Sequence, residues 1–501
     1  MGSKRCNAVT SERMPLGASI VRTIDLAVLG PGFRLRPLLL GTATVAAMSR
    51  KPASVARTSG VTMTLKHSAG GRLLATVAAS TLILGACGLT GDDSSPTTGA
   101  TNPPSEPVDI SMTFWGDFGL DALATEYMDS NPGITITLNS GNYNDVHDEL
   151  QRQLVAGTGA PNIVAIGEDY IGKFTAQPDA FTDLRSFGAG DYQDLYLDWK
   201  WAEGSTPDGS QLVGIGADVS GLALCYRRDL FENAGLPFDR DAVTAAIGDT
   251  WEGFIALGKE YEAGAETGAF LDDAGTLLKP VRAQSGASYF NAAGELAING
   301  VKPAFDVSLD AIDAGLSAGI MPFTDQWDTG LDSGAFAVTL CPVWGMGYIQ
   351  NVLETAGGNA QWDVADIPGP GGSWGGAFYS IPKQGTAVQQ QASWAFLKWL
   401  IQPEQQLRIF RATGSLPSQP ALYTDDSVKS YVIPFFNDAP VGDILAKAVT
   451  ELPTQSSYSA NNATVEATLQ DVLGEVESGN VGSADAWKVA TEAVGLATPA
   501  P

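Results

Sequence analysis

The chain is 501 residues long, 44% hydrophobic and 17% charged, a balance that fits a globular protein of two or three domains and argues against disorder. Its net charge of −27 is unevenly spread: residues 1–86 hold 11 Lys/Arg and two acids, leaving 18 bases against 54 acids in the remainder, a surface that repels phosphate backbones and excludes nucleic acid as a partner. Two histidines, His67 and His147, and four cysteines with no C-x-x-C pair exclude most His-based metal sites and redox or zinc-ribbon chemistry, so neither metal nor cofactor is expected.

Residues 1–62 carry nine bases and an apolar patch at Pro37–Met48, with no strand-and-turn rhythm, which fits a start assigned upstream of the initiator Met63. Residues 63–87 read MTLKHSAGGRLLATVAASTLILGAC: Lys66 and Arg72 precede a 14-residue apolar run, Leu73–Ala86. That run is shorter than the ~20 residues of a membrane span and has the length of a signal-peptide core. Its end, Leu84-Gly85-Ala86-Cys87, resembles the bacterial lipobox, in which the cysteine is lipidated and becomes the first mature residue. The alternative is a buried helix ending in a core cysteine. Residues 88–107 speak against it, being rich in Gly, Ser, Thr and Pro like a flexible tether. The expectation is a signal region over 1–86 (63–86 the signal peptide), Cys87 as the lipidation site, and a linker over 87–107.

From Val108 the pattern becomes regular. Alternation predicts strands at 109–115, 134–138 and 162–166, with helical spacing at 120–128 and 146–156 between them. This is β-α-β-α-β, the start of an open, mostly parallel sheet, whose ligands gather in the loops beyond the strand ends. A second α/β region begins near 222–231, with helices at 251–263 and 304–318 and a strand at 335–340. After GGAFYSIP (375–382), residues 390–412 read as two helices broken at Gln402-Pro403-Glu404.

FWGDFG, CYRRDLFENAGLP followed by TWEGFIALGKEY, IPGPGGSWGGAFYSIPKQG and FLKWLIQPEQQ stand here in the order found in extracellular solute-binding proteins of bacterial ABC sugar importers. The chain resembles that family over about 108–490. GAFAVTLCPVWGMGYIQ and FFNDAPVGDILA resemble the actinobacterial branch that includes cellobiose- and cello-oligosaccharide-binding lipoproteins. The resemblance implies an α/β, periplasmic-binding-protein-like (type II) fold of two discontinuous lobes with a ligand cleft and hinge. Lobe 1 is then 108–221 plus 381–425, and lobe 2 is 222–380 plus 426–501, with crossings near Asp218–Leu222, Gly376–Ile381 and Leu422–Tyr431. It also implies a monomer on the outer face of the cell membrane, serving ABC permease subunits driven by a separate ATPase. The ligand that the resemblance implies is a neutral oligosaccharide, with a β-gluco-oligosaccharide such as cellobiose suggested by the branch.

A neutral sugar calls for aromatic platforms and for carboxylates and amides to meet its hydroxyls. Trp344, just past a strand between small residues, and Trp374, among glycines, are the first candidates; Trp115 and Trp327 follow, each equally readable as core. Asp117, Asn144, Glu168 and Asp218 supply polar contacts from loops at strand ends or the first crossing. Asp117 and Asn144 read equally as helix N-caps, and Glu168 as a solvated loop acid. The family pattern places the strand ends carrying Cys225 and Cys341 side by side, and export favours their pairing as a disulfide. Two enzyme readings compete. Gly315-Leu-Ser-Ala-Gly319 matches G-x-S-x-G but lies at a helix end, with His147 in the wrong chain order. A secreted carbohydrate-active hydrolase needs only paired carboxylates. Resemblance to a non-catalytic family disfavours both.

Overall fold

The computed structural model describes residues 107–291, 293–454 and 459–498. The signal-like segment, Cys87 and the tether lie outside them. A single sheet of nine strands organises the chain: β1 (Val108–Trp115), β2 (Ile134–Gly141), β3 (Ile163–Gly167), β4 (Gly214–Arg227), β5 (Ala269–Leu271), β6 (Phe336–Pro342), β7 (Trp362–Ala365), β8 (Ser373–Ser380) and β9 (Leu416–Pro417). Their order is β2-β1-β3-β8-β4-β6-β5, with β7 and β9 also paired to β4.

The first three strands behave as their alternation requires. Val108, Ile110, Met112 and Phe114 of β1 point inward, and helices Asp121–Ser130 and Tyr143–Ala156 return the chain so that β1 pairs in parallel with β2 and β3. Beyond β3 the expected mostly parallel sheet is not found. β8 is antiparallel to β3, and β4 is antiparallel to β6, β7, β8 and β9; only β5 and β6 resume parallel pairing. The reason is connectivity. β4 runs through both halves of the molecule as one 14-residue strand, and β8 returns directly beside it, which forces opposite directions.

The two halves meet on β4. Its first residues, Gly214–Gly221, pair with β8, and with β9 at Asp218 and Val219, while Leu222–Arg227 pair with β6 and β7; the β8 pairing shifts register at Gly216/Asp218 and again at Val219/Gly221, just before the change of partners. Bulges bend and twist a strand, which suits the place where the sheet changes partners. The first half has a core of Ile110, Met112, Tyr127, Ile163, Phe396 and Leu400, with Trp394 and Trp201 buried in it. The second half has one around Tyr226, Phe231, Phe254 and Phe270, and a C-terminal one around Phe305, Leu469 and Leu473. A further core, including Trp199, Val219, Trp327, Phe410 and Leu445, spans the junction. Cys225 of β4 and Cys341 of β6 are joined by a disulfide with Cα atoms 5.8 Å apart.

Among the described residues no helix is long and apolar enough to cross a membrane. The G-x-S-x-G serine, Ser317, follows helix Lys302–Asp313, and its hydroxyl oxygen accepts the N–H groups of Ala274 and Gly319. It serves a turn there.

A candidate ligand cleft at the strand ends

Three loops leave the C-terminal ends of β1, β2 and β3. In the first, Asp117 accepts the N–H of Gly119 at 2.8 Å, so it closes its own turn and caps no helix; the following helix has no side-chain cap. In the second, Asn142 caps helix Tyr143–Ala156, leaving Asn144 to accept the Tyr170 hydroxyl at 2.9 Å. Asp117 and Asn144 both stay exposed.

Trp115 is half-buried against Phe118 (5.1 Å between ring centroids), Tyr143 (4.9 Å) and His147 (5.2 Å). His147 is fully buried and stacks on Tyr170 at 4.0 Å. One ring nitrogen, Nε2, accepts the Gly167 N–H at 2.9 Å; the other, Nδ1, lies 2.6 Å from the Tyr143 carbonyl and therefore carries the proton. Burial lowers its pKa to about 4, so the ring is neutral near pH 7. The one histidine of the expected mature chain thus ties the end of β3 to the second helix.

The third loop opens helix Glu168–Thr175, whose first turn meets the second half of the molecule. Lys279, on helix Leu278–Ser285, lies 3.3 Å from Glu168 and 3.0 Å from Asp169. Lys279's charge, working against burial, holds Asp169 below the usual carboxylate range. Glu168 is therefore not a solvated loop acid. It is largely buried, paired with Lys279, and 3.4 Å from the Ser373 hydroxyl. Behind it a cavity of about 80 Å³ is lined by both halves, including Glu168, Glu203, Lys279, Ser373 and Glu466. Burial, with the charge of Glu168, raises Glu203 to about 8, and its Oε2 has no hydrogen-bond partner.

Asp218 lies in β4 at the first register shift, where it accepts the Ala377 N–H of β8 at 2.8 Å. Burial raises its pKa, opposed by the charge of Lys200. Across from it, Gly375 and Gly376 adopt φ of 104° and 111°, and a Cβ at 375 would stand 3.1 Å from the Trp344 Nε1. Only glycine lets that indole approach the backbone so closely.

The second half supplies the other aromatic group. Trp344, in the first turn of helix Val343–Ala356, is 43% exposed, and its Nε1–H donates to the Trp374 carbonyl at 3.0 Å. Phe323 lies against it at 5.2 Å and half-buried Trp374 stands edge-on at 6.1 Å. One helical turn on, Tyr348 is 37% exposed and donates its hydroxyl to Asp328. Trp327 does not join them as a ligand platform. It is 1% exposed, donates Nε1–H to Asp272 at 2.8 Å and stacks on Phe336. Thr324 caps helix Asp325–Ser333, and that start turns the Trp327 position toward the sheet.

The structure thus joins Trp344 and Trp374 directly and brings Glu168 to Ser373, the residue before Trp374. It sets Trp115 and Asp117 at the end of β1, Asn144 just past the end of β2, and Asp218 on the junction. Sequence reading missed Phe323, Tyr348, Tyr143, Tyr170 and Lys279. Tyr348 was within reach, four residues after Trp344 and so on the same helix face; the Lys279 pairing, over a separation of 110 residues from Asp169, left no local signal. Among the described residues no group of three or more His, Cys, Asp or Glu is placed to hold a metal ion.

Comparison with known proteins identifies the family. Residues 122–436 match the family model described as bacterial extracellular solute-binding protein. A solved structure described as an extracellular solute-binding protein of family 1 is similar at 32% identity and a TM-score of 0.73, covering 78% of this chain and all of that one. An ABC transporter associated binding protein from B. animalis subsp. lactis, solved with β-1,6-galactobiose, is 20% identical with a TM-score of 0.60, over 78% of this chain and 97% of that one. A cyclic α-maltosyl-1,6-maltose binding protein from Arthrobacter globiformis is 19% identical with a TM-score of 0.63, over 78% and 99%. At those identities the last two speak for the fold. No curated protein sequence matches.

Proposed function

The chain belongs to the bacterial extracellular solute-binding proteins and has their type II periplasmic-binding-protein fold, and from that premise we propose that it captures a neutral oligosaccharide for an ABC importer. The observation that carries the reading is Trp344: an indole held by its edge yet 43% exposed, standing where β6 ends and beside the glycine backbone of β8. An aromatic face offered to solvent but fixed in place suits the weakly polar C–H face of a sugar. Trp374 stands beside it. Asp117, Asn144 and Asp218 each already accept at least one hydrogen bond, which fixes their direction, and their oxygens carry further lone pairs for a ligand hydroxyl. Trp115 stands at the first-half strand ends, and Glu168 meets the second half through Ser373 and Lys279.

In this reading the lobes are 108–221 with 381–425, and 222–380 with 426–501. They close about the β4–β8–β9 junction, a hinge response that excludes water around the ligand. The closed monomer then delivers its cargo, unaltered, to permease subunits powered by a separate ATPase. A lipid on Cys87 holds the protein on the outer face of the cell membrane. The branch resemblance favours a β-linked gluco-oligosaccharide.

A thermal-shift screen against cellobiose, cellotriose, maltose and β-1,6-galactobiose tests the reading. A ligand at 100 times its Kd stabilises by about 2.7 kcal/mol. No shift with any of them, or release of new reducing ends, would overturn it. Anchoring has its own test: Cys87→Ser is expected to move the protein from the membrane fraction to the medium, and equal distribution of both forms would remove the lipid anchor.

A further inference from the structure

Three non-glycine residues among those described have left-handed backbones: Asn437, Asp438 and Phe323, the last with φ of 65°. Asn and Asp tolerate that region because their short side chains bond locally; a phenylalanine there is strained, and strain persists only where the surroundings over-determine it. The surroundings of Phe323 do so. On its C-terminal side Thr324 donates its hydroxyl to the Met321 carbonyl at 2.9 Å and accepts the Trp327 N–H at 3.3 Å, which locks the turn to the start of helix Asp325–Ser333. The ring then sits at the centre of the aromatic group, 5.1 Å from Trp327, 5.2 Å from Trp344, 5.3 Å from Tyr348 and 6.2 Å from Trp374.

Trp344 needs such a neighbour. Its hydrogen bond to the Trp374 carbonyl fixes one edge of the indole and leaves the plane free to swing about that edge. Phe323, inclined at 33° to the indole, removes the swing. We propose that Phe323 is a positioning residue for Trp344: its strained backbone sets a ring against the indole, so that the exposed indole face is fixed before cargo arrives. The proposal rests on the reading of Trp344 as the cargo platform. Fixing a side chain in advance removes the ordering cost from the binding step. A filler role would serve overall stability and leave the setting of the Trp344 ring untouched.

The test is fluorine NMR of the full chain labelled with 5-fluorotryptophan, with the Trp344 resonance assigned by its loss in Trp344→Phe. Phe323→Gly accepts the backbone without strain and removes the ring; Phe323→Tyr keeps the ring. In the ligand-free protein, Phe323→Gly should shift the Trp344 resonance and raise its solvent isotope shift, with the Trp115 and Trp394 resonances in place. Phe323→Tyr should leave all three unchanged. With whichever sugar of the thermal-shift panel binds, Phe323→Gly should weaken affinity about two- to tenfold and Phe323→Tyr should restore it. If Phe323→Gly loses the fold, Phe323→Leu, apolar without a flat ring, is compared in the same way. An unmoved Trp344 resonance in the folded variant overturns the inference. If the wild type binds no sugar in the panel, the function reading fails, while the ligand-free fluorine spectra still decide the role of Phe323.

Discussion

The two aromatic groups at the strand ends are built from the same kinds of residue and are held differently. In the first half, Trp115, Phe118, Tyr143, His147 and Tyr170 pack edge to face on one another, and His147 has its face covered by Tyr170 at 4.0 Å. The polar atoms of three of them are taken as well: Tyr143 donates to Asp169, Tyr170 to Asn144, and both nitrogens of His147 meet backbone. In the second half the rings are held by their edges, and Trp344 and Tyr348 keep faces toward solvent. Counting aromatic residues therefore does not locate a platform. What separates buttress from platform is whether other rings already occupy the faces.

The strongest way to break the distinction is at Trp327, which lies behind the exposed group. Trp327→Ala should cost about 3–5 kcal/mol of stability, as for a buried tryptophan, and it removes a donor from buried Asp272. Urea unfolding measures it; a loss below about 1 kcal/mol joined to weaker sugar binding would return Trp327 to the cleft. Next comes the disulfide beneath the same wall. Its partners lie 116 residues apart, and replacing both Cys225 and Cys341 by alanine should cost about 2–4 kcal/mol under non-reducing conditions. An unfolding midpoint unchanged by both substitution and reductant would show the bond to be idle.

These positions also show what the sequence makes legible. Alternation in β1 and the helical spacing at 120–128 and 146–156 announced the first strands and helices because each pattern reports one face buried locally. The antiparallel return of β8 beside β4 was not visible, since strand direction in a sheet is a property of distant partners. The place of Trp344 just past a strand was legible from the apolar run before it, while its use as a sugar platform is the proposal. Trp327 was misjudged because its facing depends on where Thr324 starts the helix. Phe323 left no mark, for a strained φ follows from the turn around it rather than from the residue. The cysteine pairing came through the resemblance, not through spacing.

A smaller effect sharpens the comparison directly. Trp344→Ala should weaken sugar binding by about 1–3 kcal/mol, as hot-spot aromatics do, and leave the melting temperature of the free protein nearly unchanged. Trp115→Ala should do the reverse and lower stability first, because its ring is wedged among three others. Calorimetry of both variants with one sugar decides. Equal losses of affinity with no loss of stability would mean that both groups are platforms.

The smallest effect concerns the pH at which the buttress loosens. His147 has a folded pKa of about 4, lowered by burial and opposed by its bond to Tyr143 and the charges of Asp169 and Asp148, against about 6.5 for an exposed histidine. The unfolded chain therefore takes up a proton at His147 at a pH where the native state does not. The stability this group contributes is present above about pH 6.5 and is lost as pH falls toward 4. Glu203 has the opposite slope: raised to about 8 by burial, it favours the native state at low pH and works against it as pH rises from about 4.5 through 8. Between pH 7 and 5 the histidine contribution amounts to about 1–2 kcal/mol. His147→Gln lowers stability at every pH, since Gln cannot reproduce both backbone contacts, so the measurement is the slope and not the level. The stability difference between wild type and variant, from urea unfolding at pH 7, 6 and 5, should therefore shrink by that 1–2 kcal/mol as pH falls, while the Glu203 contribution cancels between the two. Parallel slopes would show that His147 titrates normally, and that the first aromatic group is open to water after all.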